Sequence, residues 1–212
     1  MRIRGAFSLI ELTIVISILA LMCAIIFPIL SSARENSRQS VCSSNLKQIG
    51  ISISVYQQDY DSFYPYAVDP SDRVAPSWHD NPHFQSQIPQ LPDVEDILQP
   101  YIKSKQVFAC PSDTGFLIHD FAYVILNAYP TSFEKYGTSY YYRTELSAMH
   151  SSVTSLTNPD KVNVLLDGSG NWHGSLVKNN QRYNILFADG HVKNVLRDQA
   201  IDAWSTPLGA SP

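Results

Sequence analysis

Two hydrophobic patterns follow each other along the first sixty residues. Residues 7–30, FSLIELTIVISILALMCAIIFPIL, are apolar almost without interruption and carry one charge, Glu11. Beyond Ser31 the apolar positions thin out into a stripe: Cys42, Leu46, Ile49, Ile53, Tyr56 and Tyr60 step by four, three, four, three and four. That spacing is one face of a 3.6-residue helix, and Arg38, Lys47, Ser54 and Gln58 fall on the opposite face. No proline interrupts the segment after Pro28, and Gly50 costs a helix only about 1 kcal/mol. The pattern predicts one long helix, apolar all round in its first half and amphipathic in its second.

At about 1.5 Å per residue a helix over 7–30 is roughly 36 Å long, against a hydrocarbon core of about 30 Å, so it is long enough to span. A removable signal peptide is the alternative, but its apolar region is shorter and ends at a small-residue cleavage site. Here the run continues into polar, helix-compatible sequence, which favours a retained helix. Arg2 and Arg4 precede it and favour a cytoplasmic N-terminus, while Arg34 and Arg38 on the far side weaken that rule. Pro28 is open to two readings, a kink or a helix boundary near the membrane surface. Glu11 matters most. A carboxylate inside a spanning segment costs about 2.5–3.5 kcal/mol on insertion scales, so it calls for a partner at the same depth.

The rest of the chain reads as loops and strands. From Phe63 to Pro100, Pro, Asp, Ser and Gln predominate around WHDNPHF, predicting an extended surface loop with one short helix at Val94–Leu98. Short strands are expected at Val107–Cys110, Ser139–Arg143 and Val162–Leu166. Tyr183–Ala188 and His191–Leu196 flank Asp189-Gly190, the signature of a hairpin with a two-residue type I′ turn. The fold class expected is α+β, with the second half of the long helix packed on an antiparallel sheet. About 180 residues after the span suffice for a domain with its own core.

Charge and candidate chemistry narrow the picture. The net charge is −4 and the chain has no basic cluster beyond Arg34 and Arg38, so nucleic-acid binding has no support. His79, Asp80 and His83 have metal-ligating side chains, but exposed loop residues explain them as well. Asp167, His173, Asp189 and His191 are the other candidates for a divalent-ion or hydrolytic site. Against this, a turn explains Asp189 and an alternating polar position explains His191. The chain carries no HExxH, GxSxG, P-loop or paired CxxC pattern, and no enzymatic activity is expected. Cys23 lies in the apolar run as a small packing residue. Cys42 on the helix stripe and Cys110 at a strand end are either a disulfide or two separately buried thiols. A bridge persists outside the cytoplasm and contributes about 2–4 kcal/mol.

The N-terminus resembles the processing motif of type IV pilins and type II secretion pseudopilins: a short basic leader, MRIRGA, then F-S-L-I-E and an apolar helix. The resemblance implies cleavage by a prepilin peptidase on the cytoplasmic side, N-methylation of the new amine, and retention of the helix as a filament core. Cutting after Ala6 makes Phe7 first, Glu11 fifth and Pro28 twenty-second, the family's register; cutting after Gly5 makes Glu11 sixth. Phe7 and Glu11, with Pro28, are then the assembly residues. The amine of one subunit meets the carboxylate of its neighbour, a buried pair that sets axial register. The segments SVCSSNLKQIGISISVYQQDYDSFYP and LFADGHV are similar to a large pilin-like group with a C-terminal histidine-and-DG segment. In that group a histidine precedes the DG by nine residues. Asn179 stands there in this chain and His173 lies farther upstream, so the hairpin carries over and a histidine function does not.

The resemblance divides the chain into a leader at 1–6, a transmembrane helix at 7–30, its amphipathic continuation at 31–62, and a pilin-like β domain with long loops at 63–212. The expected partners are further copies of the chain and other pilin-like subunits, a prepilin peptidase and N-methyltransferase, an inner-membrane assembly platform, and the membrane itself. The soluble domain is expected in the periplasm or outside the cell. No cofactor is expected, although some pseudopilins hold a C-terminal loop with calcium; no ligand set for it is matched here, and the metal question stays open. The other function class is a membrane-anchored binding module that does not polymerise and uses the 63–100 segment or the tyrosine-rich region for a ligand.

Overall fold

The computed structural model describes residues 9–121, 123–174 and 176–209, in two compact units that meet between Ser37 and Arg38. Helix α1 covers Leu9–Asp59, 51 residues, and runs without a break through position 28, so Pro28 does not mark a helix boundary. In the first unit the described apolar side chains are exposed, from Leu9 and Ile10 through Ile29 and Leu30.

In the second unit α1 behaves differently. Cys42, Leu46, Ile49, Ile53 and Tyr56 are all buried, while Arg38, Lys47, Ser54 and Gln58 face solvent. Tyr60, the last position of the expected stripe, is exposed. The helix stops at Asp59, short of position 62, because Asp61 and Ser62 turn left-handed at φ 49° and 67°. The Ser62 amide then donates to the Gln57 carbonyl (2.8 Å) and satisfies one end group of the helix.

The segment after α1 corrects the sequence reading. It is not an extended surface loop: helices α2 (Pro70–Val74), α3 (Pro82–Gln87) and α4 (Val94–Leu98) and a 3₁₀ turn at Ile88–Gln90 occupy it. Ala67, Val68, Phe84, Ile88, Val94 and Leu98 are buried. The signal was present in D-P and N-P. Asp69 and Asn81 cap α2 and α3 by accepting the amides of Asp72 (2.8 Å) and Phe84 (3.2 Å), and the following prolines start each helix with φ already set. Only α4 was read from the sequence. Residues Lys105–Phe108 form a 3₁₀ turn, not the start of a strand; Ser104 Oγ caps it by accepting the Gln106 amide.

After α5 (Ser132–Tyr136), strand β1 (Tyr140–Tyr142), helix α6 (Glu145–Ala148), then β2 (Asn163–Asp167), β3 (Arg182–Phe187) and β4 (Val192–Leu196) lead to a last helix, α7 (Arg197–Ser205). The four strands form one antiparallel sheet in the order β1-β2-β3-β4. One face meets α1: Gly50 lies so close to Leu186 that a Cβ there would stand 2.8 Å from Leu186 Cδ1. Gly50 is therefore a close-approach residue and not merely a tolerated helix defect. Ser43 Oγ donates to Asn184 Oδ1 (3.0 Å), and Lys47 Nζ donates to the Gly190 carbonyl (2.6 Å). On the other face Tyr183, Ile185 and Phe187 of β3 bury with Ala200 and Ala203 of α7.

The β3–β4 turn also departs from expectation. Gly190 N–H donates to Phe187 O and Phe187 N–H to His191 O, both at 2.9 Å, which encloses a three-residue loop, 188–190. Gly190 alone takes a positive φ, 83°, whereas a type I′ turn would have placed Asp189 there too. Asp189 instead accepts the His191 amide (3.0 Å), and its carboxylate sits 2.6 Å from His191 Nδ1.

Candidate functional site

Three regions carry side chains whose placement calls for a function. The first is the exposed apolar stretch of α1. Among the described residues it is the one helix long and apolar enough to cross a membrane, and its most apolar stretch is wholly exposed. Its hydroxyls are satisfied internally: Thr13 Oγ1 donates to Ile10 O (3.0 Å) and Ser17 Oγ to Thr13 O (2.7 Å). This is what a lipid-facing helix requires, because hydrocarbon offers no hydrogen-bond partner. Glu11 lies in the first turn of α1 and is exposed. Gly5, Ala6 and Phe7, the expected processing positions, lie outside the described residues.

The second region is a buried cluster where α1 meets the domain. Cys42 of α1 is disulfide-bonded to Cys110, with Cα atoms 5.0 Å apart, across a sequence separation of 68. His173 Nε2 stands 3.3 Å from Cys110 Sγ and 3.6 Å from Asp167 Oδ2, with both the histidine and aspartate side chains fully buried. Asp167 Oδ2 accepts the Asn184 amide (2.5 Å), while Oδ1 has no hydrogen-bond partner among the described residues. Burial drives the Asp167 carboxyl up to about 6; His173 and the Asn184 amide oppose that shift.

The structure thus splits the four residues that the sequence offered as one site. Asp167 and His173 pair at the end of β2, whereas Asp189 and His191 pair in the exposed turn beyond the far end of β3. They do not converge. His79, Asp80 and His83 are all exposed and belong to no close cluster of ligating atoms among the described residues.

His173 stands six residues before Asn179, the position at which the resemblance implies a histidine. The chain closes on itself just after His173: a Cβ on Gly174 would lie 2.3 Å from Asn180 O and 2.7 Å from Arg182 N. Asn179 is exposed, as are Leu176 and Val177. His173 is buried beside the sheet, 3.6 Å from Asp167.

The third region is a cleft of about 250 Å³ lined by Ser71, Asp72, Trp78, His119, Thr144 and Trp204, among others. Trp78 Nε1 donates to Asp72 Oδ1 (2.8 Å), and Trp204 stacks on Phe121. Burial raises the Asp72 carboxyl, and burial lowers the His119 imidazole to about 4. Sequence reasoning singled out WHDNPHF, which contains Trp78, but nothing in the pattern tied it to Trp204 near the C-terminus.

A family model described as "Protein of unknown function (DUF1559)" matches residues 31–171, from the amphipathic part of α1 to just beyond β2. No curated protein and no solved structure matches the chain.

Proposed function

The chain belongs to the family of proteins of unknown function DUF1559, and from that premise we propose that it is a structural subunit of a type IV pilus-like or type II secretion pseudopilus-like filament. A prepilin peptidase removes residues 1–6, Phe7 becomes the methylated N-terminus, and the apolar part of α1 holds the subunit in the inner membrane until assembly. The soluble domain then faces the periplasm or the cell exterior. In the filament the Phe7 amine of one subunit pairs with Glu11 of the next. The role is mechanical, and the partners are other pilin-like subunits, the processing enzyme and the assembly platform.

The observation that carries this reading is α1 itself, a 51-residue helix with an exposed apolar first part and a second part that buries one stripe in its domain. Glu11, the one acid of the apolar part, supports it. The test is the intact mass and N-terminal sequence of the chain expressed beside an active prepilin peptidase. A methylated Phe7 start is expected, and a chain that keeps residues 1–6 overturns the reading.

The indole-lined cleft favours a second reading, a membrane-anchored module that binds a small ligand and does not polymerise. That reading needs neither cleavage nor Glu11, so the same measurement separates the two.

A further inference from the structure

We propose that the cleft between Trp78 and Trp204 binds a small organic cation of the alkylammonium class, with Asp72 as its counter-ion and the two indoles as its walls. The site is that of the second reading above, and the inference stands whether or not the chain polymerises. All of the lining residues belong to the second unit.

Both indoles are fixed by the protein itself. Trp78 donates Nε1–H to Asp72 Oδ1 (2.8 Å) and meets Phe84 edge-on, with ring centroids 5.1 Å apart. Trp204, on α7, stacks on Phe121 at 5.7 Å. A cation within about 6 Å of a ring centroid is drawn to the negative face of the ring, and indole is the best such host. The cleft volume, about 250 Å³, falls just under the ~300–1,000 Å³ usual for drug-sized ligands, which selects a ligand of few heavy atoms.

Charge decides which ligand the rings serve. Among the described residues the lining carries two acids, Asp72 and Glu145, and no lysine or arginine. His119 adds no positive charge at neutral pH, because burial lowers its imidazole to about 4. Glu145 is already matched: the buried Arg143 donates from Nε and Nη2 to its Oε2 at 2.8 and 2.6 Å. Arg197 stands 5.7 Å from the Phe121 ring but is committed to Tyr123 Oη (2.8 Å) and the Asp120 carbonyl (3.3 Å). Asp72 has hydrogen bonds but, among the described residues, no ion pair. Burial, with the charge of Glu145, raises its carboxyl, against hydrogen bonds from Thr144 and Trp78. A bound cation offsets the cost of holding that charge out of water. A neutral polyol does not, and a phosphate or carboxylate ligand adds to it.

The experiment uses the full-length chain in a polyoxyethylene alkyl ether detergent, which carries neither ammonium nor sugar. Choline is compared with its uncharged isostere dimethylbutanol, in which carbon replaces the ammonium nitrogen, and binding is read by tryptophan emission and ligand-observed NMR. Choline is expected to bind saturably with a Kd in the millimolar range or tighter, and the isostere at least about tenfold more weakly. Asp72→Asn, which keeps an acceptor oxygen for Trp78, should weaken choline binding at least about tenfold, and Trp204→Leu at least about threefold. The inference is overturned if the parent chain shows no saturable choline binding up to about 50 mM. It is overturned equally if the isostere binds as tightly as choline, which would mean an apolar cleft indifferent to charge, or if folded Asp72→Asn binds choline like the parent. The two titrations of the parent chain decide the matter even where a variant does not fold. A methylated Phe7 start together with no choline binding sinks this inference alone and leaves the filament reading standing.

Discussion

The two parts of α1 are made of similar side chains in opposite situations. Leu19 is 55% exposed and Leu46 is fully buried, although both are leucines in the same continuous helix. In the first part apolar residues occupy every side, so no neighbour within one chain could cover them all. In the second a single stripe is buried, with Val41, Ile51 and Val55 off it and exposed, and the sheet, with Leu186, Val164 and Tyr140, covers that stripe. The lesson is that helix periodicity reports the solvent a helix is built for. An all-round apolar surface asks for lipid or for other copies of itself, and a stripe asks for one domain.

This contrast can be broken most severely at Leu46. Leu46→Ala should destabilise the domain by about 2–5 kcal/mol, read by chemical unfolding in detergent, whereas Leu19→Ala should leave unfolding of the same domain unchanged. Equal effects would erase the distinction between the two parts.

A second prediction uses pH. Glu95 of α4 is buried, and burial, with the charges of Asp93 and Asp96, pushes its carboxyl up to about 8. Folded Glu95 therefore keeps its proton where the unfolded chain has released it. Its contribution is fully present below the unfolded value near ~4.5 and is lost as pH rises towards 8. Glu95→Gln should remove a slope of a few kcal/mol across that window, raising stability at pH 8 and leaving it unchanged at pH 4. A parallel shift at both pH values would contradict this origin.

Gly50 sharpens the comparison at the level of a methyl group. Helix propensity alone predicts that Gly50→Ala stabilises by about 1 kcal/mol. The contact with Leu186 predicts the opposite sign, a loss of about 1–3 kcal/mol, because the new Cβ overpacks the helix–sheet junction. The smallest effect is expected at Lys47, an exposed residue whose Nζ reaches the Gly190 carbonyl; Lys47→Ala should change stability by less than about 0.5 kcal/mol.

What the sequence disclosed follows from how local each signal is. The helix was legible because its period repeats over many turns, and the strands around Tyr141, Leu165, Ile185 and Val195 because β-branched and aromatic residues cluster between turn signals. The folded character of 63–100 was hidden: α2 and α3 bury few residues each, and their caps, Asp69-Pro70 and Asn81-Pro82, look like ordinary loop residues unless read as helix starts. Cys42 and Cys110, separated by 68 positions, could be paired only once the chain between them was folded. Asp167 and His173 were legible only as two of four candidates, since their pairing, apart from Asp189 and His191, depends on the fold of the chain after β2.

The account rests on one carboxylate in the apolar part of α1 finding the amine of a neighbouring copy. The direct measurement is the amount of sedimentable filament formed in a host with the complete assembly machinery by the parent chain, Glu11→Gln and Glu11→Ala, at matched membrane levels. The account predicts at least about a tenfold loss for both variants, equivalent to roughly 1.4 kcal/mol or more per subunit contact. Filaments formed in undiminished amount by Glu11→Ala would contradict it.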